Sequence, residues 1–197
     1  MQESLLKGNS VSGAGNDPAE RELAELVRRK DPRGMRRFYD SYAGYLTAVC
    51  SRYIQDRADV KDVLQDAFVK IFSDIGQFEY RGAGSLRAWA SRIVVNQSLK
   101  YLHSSGRLTY VEDLPDVPDE EPSGLQEVPP AVLQEMIRSL PDGYRTVFNL
   151  FVFERKSHKE IAALLDIKED TSASQFFRAR ASLARKIKDY LKEHDNG

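Results

Sequence analysis

Residues 157–187 read SHKEIAALLDIKEDTSASQFFRARASLARKI, and their spacing decides the fold. Ser157 and Glu160 stand three apart at the head, as in a capping box, where two side chains reciprocally satisfy backbone N–H groups at a helix start. Ile161, Ala162 and Leu165 then mark one buried face, with a small residue where another helix must come close. A turn follows at residues 166–168. Its first position calls for a positive φ that Gly commonly supplies, and Asp166 tolerates that conformation better than most residues. From about Glu169 a second helix buries Phe176 and Ala179 and turns Ser174, Phe177, Arg178 and Arg180 toward solvent. Two helices across so tight a turn are the layout of a DNA-reading helix-turn-helix. An ordinary helical bundle shares the spacing, and charge separates the two readings: residues 176–192 hold six basic residues and one acid, Asp189, which suits a phosphate backbone. Glu169 and Asp170 complement the helix dipole but repel phosphate, so DNA contacts are expected a turn later.

Working outward, the net charge of −1 over 197 residues argues by itself against a nucleic-acid binder, but its distribution does not. Residues 1–102 sum to +3, residues 103–132 to −6 and residues 133–197 to +2. The acidic middle contains TYVEDLPDVPDEEPSGLQEVPP, with five prolines and no sustained period, the mark of a linker. The expected organisation is a disordered tail over 1–17, a helical domain over 18–102, a flexible acidic linker over 103–131 and a helix-turn-helix domain over 132–192. With 41% hydrophobic residues there is enough apolar surface for two small cores. The single Cys50 cannot form an internal disulfide and reads as core, consistent with a reducing cytoplasm. Neither a membrane span nor an export signal is found.

The first domain reads as all helix. Asp17-Pro18 and Asp31-Pro32 each set a capping side chain before a proline suited to the first turn, and Glu20 stands three after Asp17 as in a capping box. Met35, Phe38, Tyr39, Tyr42, Leu46, Val49, Cys50 and Tyr53 keep the spacing of one helical face. Val60, Val63, Leu64, Ala67, Phe68, Ile71 and Phe72 form the apolar stripe of the next helix. A fourth helix begins near Ser85. The predicted fold class is all-α, two small helical domains on an acidic, Pro-rich tether.

On the helix over residues 58–72, Asp62, Gln65 and Asp66 share one polar face. It is either simply solvated or suited to docking on an Arg/Lys-rich protein surface. These carboxylates lack the His, metal ligands or apolar pocket that would split their pKa values for catalysis. Residues 78–96, FEYRGAGSLRAWASRIVVN, pose a second choice. A dinucleotide loop needs G-x-G-x-x-G between a strand and a helix, whereas Gly82 and Gly84 are followed by Arg87 at the third position and preceded by helix. What is left is a loop carrying Phe78, Tyr80 and Arg81, then a helix with Leu86, Trp89, Ala90 and Ile93 inside and Arg87, Arg92, Asn96 and Lys100 outside. Aromatics beside Arg and Asn stack on and hydrogen-bond to unpaired bases. His103, His158 and His194 are scattered and read as surface residues. No catalytic residue, metal ligand set or cofactor is expected, and the chain is read as a non-enzyme.

Together, DVKDVLQDAFVKIF, FEYRGAGSLRAWASRIVVN and LPDGYRTVFNLFVFERKSHKEIAALLDIKEDTSASQFFRARASL resemble, in order, the two helical domains of bacterial sigma factors of the extracytoplasmic-function (ECF) group of the sigma-70 family. The resemblance implies a promoter-specificity subunit that binds core RNA polymerase and promoter DNA and promotes melting. It puts Asp62, Gln65 and Asp66 at the docking positions for the polymerase clamp helices. Tyr80, Arg81, Asn96 and Lys100 fall on the loop and helix that recognise and open the minus-ten element, with Gly82, Trp89 and Arg92 also matching the pattern. Lys168, Thr171, Ser174, Phe177 and Arg178 fall on the minus-thirty-five reader. It further implies an anti-sigma factor as a restraining partner, no membrane insertion, and a linker whose acidity fits a basic path through the polymerase channel. A free-standing helix-turn-helix regulator is the alternative reading.

Four positions depart from the family pattern. Ala173 and Gln175 stand where many members carry Lys or Arg, which weakens or moves the phosphate anchoring. Ser172 replaces a usual aliphatic, a change expected to soften recognition-helix packing by about 1 kcal/mol. Asp166 replaces Gly without breaking the turn.

Overall fold

The computed structural model describes residues 18–110 and 124–194. The expected tail over 1–17 and the centre of the expected linker, 111–123, lie outside the described residues, and with them Asp17. All regular structure among the described residues is helical: eight α-helices and two 3₁₀ turns, with no strand. The chain divides into two compact units between Ser104 and Ser105.

The first unit holds α1 (Pro18–Arg28), α2 (Pro32–Ser51), α3 (Arg57–Asp74), a 3₁₀ turn (Ile75–Gln77) and α4 (Ser85–Ser104). Helix starts follow short-range rules. Asp31 accepts from Arg33 N at 2.8 Å, and Asp56 accepts from Ala58 N at 2.8 Å and Asp59 N at 3.1 Å, each carboxylate satisfying orphan donors at the positive end of its helix. The α1–α2 corner closes tightly on Gly34, where a Cβ would lie 2.5 Å from Leu26 Cβ. The core draws on Phe38, Leu46 and Val49 of α2, Val63, Ala67 and Ile71 of α3, and Leu86, Ala90 and Val94 of α4, all buried. Phe38 meets Phe68 and Phe72 edge-on, at 6.4 and 5.7 Å between centroids. Tyr39 departs from the expected buried face: it is 52% exposed, its ring resting on Phe68 at 4.9 Å. Consecutive helical residues point about 100° apart, and Phe38 occupies the inward direction.

The second unit holds a 3₁₀ turn (Leu125–Glu127), α5 (Pro130–Arg138), α6 (Asp142–Val152), α7 (His158–Leu165) and α8 (Glu169–His194). Ile137, Leu140, Phe148, Val152, Ala179 and Leu183 form its core. Within it lies a side chain that apolar periodicity does not anticipate. Arg145, 1% exposed, donates to Arg138 O at 3.0 Å and Leu140 O at 2.7 Å and pairs with Asp142. Its guanidinium thereby satisfies the last carbonyl of α5, which the helix leaves orphaned, and a carbonyl in the connection to α6. Described parts of the stretch read as linker belong to this unit: Val128 is buried, and Thr109 O comes close enough to Gly143 that a Cβ there would lie 2.8 Å away. Burial pushes the Tyr110 phenol up to about 12. Apolar groups inside an acidic, Pro-rich run find a surface to cover despite the composition around them.

Candidate partner and nucleic-acid surfaces

Helix α3 presents Asp62, Gln65 and Asp66 on its outward face, all exposed, and neither acid has an ion-pair partner among the described residues. Val69 continues the row one turn further at 66% exposure. Spacings of three, four and seven put the four residues on one line of a helix. Anionic and amide groups beside an uncovered aliphatic make a surface that can pair with cations and bury apolar area at once. Val69 was absent from the sequence-derived set because the apolar stripe beside it accounts for the core without it.

The second surface begins where α3 ends. Phe78 is buried and packs on Trp89, half-buried, at 5.6 Å between ring centroids; Phe78 is thus an anchor rather than a presented aromatic. Tyr80 follows, half-buried, and Arg81 is exposed and paired with Glu79 at 3.1 Å. Gly82 and Gly84 adopt φ of +116° and +82°, conformations that favour glycine. With Gly84 at its N-cap position, α4 has no side chain of its own to cap it. The cap comes from α1. Glu20, 6% exposed, accepts from Gly84 N at 2.7 Å, Leu86 N at 3.0 Å and Arg87 N at 3.3 Å, and from Tyr42 Oη at 3.5 Å. The local capping box read between Asp17 and Glu20 lies outside the described residues on its Asp17 side; the partners described for Glu20 are three backbone donors and a phenol offered by the tertiary structure. Along α4, Arg92, Asn96 and Lys100 follow at four-residue intervals, all exposed. Arg87 Cζ lies 5.2 Å from the Tyr45 ring centroid. A groove of ≈ 960 Å³ runs between α1 and this loop, lined by Arg21, Arg28, Arg29, Phe78 and Tyr80.

The third surface is the helix-turn-helix. Ser157 Oγ accepts from Glu160 N at 3.3 Å while Glu160 accepts from Ser157 N at 2.9 Å, the capping box expected from sequence. The Ser157 backbone N–H foremost, then Lys156 and the Ser157 hydroxyl, pulls the Glu160 carboxyl down to about 2. Asp166 sits in the left-handed region at φ 53°, ψ 49°, as the turn requires. Lys168, immediately before α8, and Ser174 on it are exposed, and Thr171, Phe177 and Arg178 are half-buried. Lys168, Thr171, Ser174 and Arg178 share one face by their spacing.

Two of the departures are corrected. Gln175 offers no place for a phosphate-binding cation: it is 1% exposed and lies near Gly143, because residues 172, 175, 179 and 183 form the buried stripe of α8. Ser172 is also buried, but its hydroxyl pairs with His158 Nδ1 at 3.0 Å, and the imidazole stacks on Phe151 at 4.8 Å. The packing loss expected from a missing aliphatic is met by a hydrogen bond and a ring. His158 is therefore half-buried and structural, whereas His103 and His194 are exposed. Among the described residues no group of three or more His, Cys, Asp or Glu could hold a metal ion.

A family model described as Sigma-70 region 2 matches residues 38–108, and one described as Sigma-70, region 4 matches residues 131–183, together more than half of the chain. The "RNA polymerase sigma-H factor" of Pseudomonas aeruginosa is 27% identical over 188 residues, 88% of this chain and 96% of that protein. The "ECF RNA polymerase sigma-E factor" of Haemophilus influenzae is 28% identical, covering 86% of this chain and 95% of its own; that of Escherichia coli K12 has the same identity and coverage. A solved structure of CnrH in complex with the cytosolic domain of CnrY matches with TM-score 0.46 and 24% identity, over 87% of this chain and 98% of that one. The chain belongs to the sigma-70 family, in its group of ECF sigma factors.

Proposed function

We propose that this chain, as the promoter-specificity subunit of RNA polymerase, works through three separate surfaces. Asp62, Gln65 and Asp66, extended by Val69, dock core polymerase. Tyr80, Arg81, Asn96 and Lys100 capture and read the minus-ten element as its bases unstack. Lys168, Thr171, Ser174, Phe177 and Arg178 read the minus-thirty-five element as duplex. The observation that carries the reading is the exposed row on α3, whose acids make no ion pair among the described residues. Partner binding gives such a row a use that a solvated face does not need.

No catalytic group takes part. One element is held as duplex while unstacked bases of the other are trapped, so melting draws on binding energy. Stacking one base on an aromatic returns roughly 1–3 kcal/mol, comparable with the cost of unstacking a step. No helix among the described residues is long and apolar enough to cross a membrane; we place the protein in the cytoplasm, with its polymerase and promoter. A restraining anti-sigma factor, common in the family, would cover the α3 row.

Pull-down of core polymerase tests the docking surface: the unaltered chain should capture it and the Asp62/Gln65/Asp66 triple alanine variant should not. Equal capture by both sinks the assignment. For the minus-ten surface, Tyr80→Ala or Asn96→Ala should impair opening of a duplex promoter more than engagement of a pre-melted one. Equal loss on both templates points to a folding defect instead.

A further inference from the structure

Both ends of the loop that carries Tyr80 and Arg81 are tied to one helix. At the exit, the Glu20 carboxylate receives Gly84 N, Leu86 N and Arg87 N. At the entry, two turns further along α1, Arg28 Nη2 donates to Phe78 O at 3.0 Å, and Arg28 is itself oriented by Glu25 at 2.6 Å. Between the two attachments the backbone passes Gly82, and at the exit Gly84, both at positive φ; the ties within the loop itself are an exposed Arg81–Glu79 pair and a 3.3 Å bond from Arg81 N to Ser85 Oγ. Tyr80 lies in the groove whose opposite wall is α1.

We infer that α1 is a template that presets this loop, with Glu20 and Arg28 as positioning residues for capture of unstacked promoter bases. The inference rests on the minus-ten reading of Tyr80 and Arg81. A loop with two glycines that must order itself on meeting DNA loses binding energy to that ordering; a loop already held at both ends does not. A carboxylate facing three N–H groups at a helix N-terminus is the stronger tie, since the charge also meets the positive end of the helix dipole. Arg28, making a single bond to a carbonyl, is the weaker one. Neither side chain has to touch DNA for its loss to be felt there.

The test uses the full chain bound to core polymerase, on a duplex promoter and on the same promoter pre-melted at the minus-ten element. Opening is read from a fluorescent base analogue at the unstacked position. Glu20→Ala should slow or diminish duplex opening about tenfold, with core affinity and pre-melted engagement held within about twofold. Glu20→Gln, which keeps one acceptor oxygen but places an NH₂ group among backbone donors, should fall between Glu20→Ala and the unaltered chain. Arg28→Met, at a partly exposed position where folding is not at stake, should act in the same direction more weakly. If Glu20→Ala fails to fold, Glu20→Gln and Arg28→Met decide. Duplex opening unchanged in both, or lost equally on both templates, overturns the inference. Tyr80→Ala separates the layers: impairment there with Glu20→Gln and Arg28→Met unimpaired sinks the template alone, whereas an inert Tyr80→Ala sinks the minus-ten reading beneath it.

Discussion

Helices α4 and α7 both begin beside a surface assigned to promoter DNA, and both must satisfy N–H groups that a helix start leaves open, but they do so over very different distances along the chain. The α7 start is closed by Ser157 and Glu160, three residues apart. The α4 start is closed by Glu20 from 64 residues away. One is a unit that its own sequence specifies; the other exists only once α1, α2 and α4 have come together. A helix-turn-helix that reads stacked duplex needs a firm scaffold and little else. A loop that catches bases as they leave the stack must hold an irregular path, and here that path is held by the tertiary structure.

Trp89, the single tryptophan, reports on the first unit alone, so unfolding followed by its fluorescence and by circular dichroism can separate the two. The largest effect is expected at Arg145. Arg145→Ala leaves one buried and one partly buried carbonyl without their donor and Asp142 without its cation, and should destabilise the second unit by about 3 kcal/mol in urea, leaving the Trp89 transition in place. A shift of both transitions together would show that the loss of Arg145 is not felt in the second unit alone. Gly34→Ala should do the converse. A methyl group 2.5 Å from Leu26 Cβ must push α1 off α2, costing about 2 kcal/mol in the Trp89 transition and loosening Glu20 from α4. Unchanged stability would show that α1 can shift freely, against the clamped loop.

Ser157→Ala removes a local cap and should cost the second unit about 1 kcal/mol, read by circular dichroism. The smallest effect is a pH dependence. The folded Glu160 carboxyl is depressed to about 2 from an ordinary 4.5. The stability it contributes is present above pH 4.5 and lost as pH falls from there toward 2. Glu160→Gln should flatten that part of the acid-unfolding profile of the second unit; an unchanged profile would show that the capping box carries no such linkage.

The same divide marks what was readable from sequence. Asp31, Ser157 and Asp166 act on neighbours within a few residues, so spacing alone located those two helix starts and the left-handed turn; Asp56, which caps α3 just as locally, was not read. Periodicity found the core of the first unit, whereas of the second unit's central cluster it named only Ala179 and left Ile137, Leu140, Phe148, Val152 and Leu183 unread; exposed positions such as Asp62, Gln65, Asp66, Asn96 and Ser174 followed as the complement of the apolar faces. Glu20, Arg28 and Arg145 were illegible because a charged side chain far from its partner looks like any solvated charge. Tyr39 and Gln175 failed for a related reason: neighbouring positions compete for one inward direction, and only packing decides between them. Ser172 was read as a lost contact because its partner, His158, lies on another helix.

The placement of Glu20 and Arg28 also bears on where this protein can be cut. The region 2 match begins at residue 38, ten residues beyond the end of α1. A fragment trimmed to that boundary would keep the whole of α3 and, on the proposed docking reading, its capture by polymerase, while the loop proposed to take the minus-ten element would have lost both moorings. Supplying residues 18–28 as a separate peptide would then be a way to restore promoter opening to a fragment that already binds its enzyme.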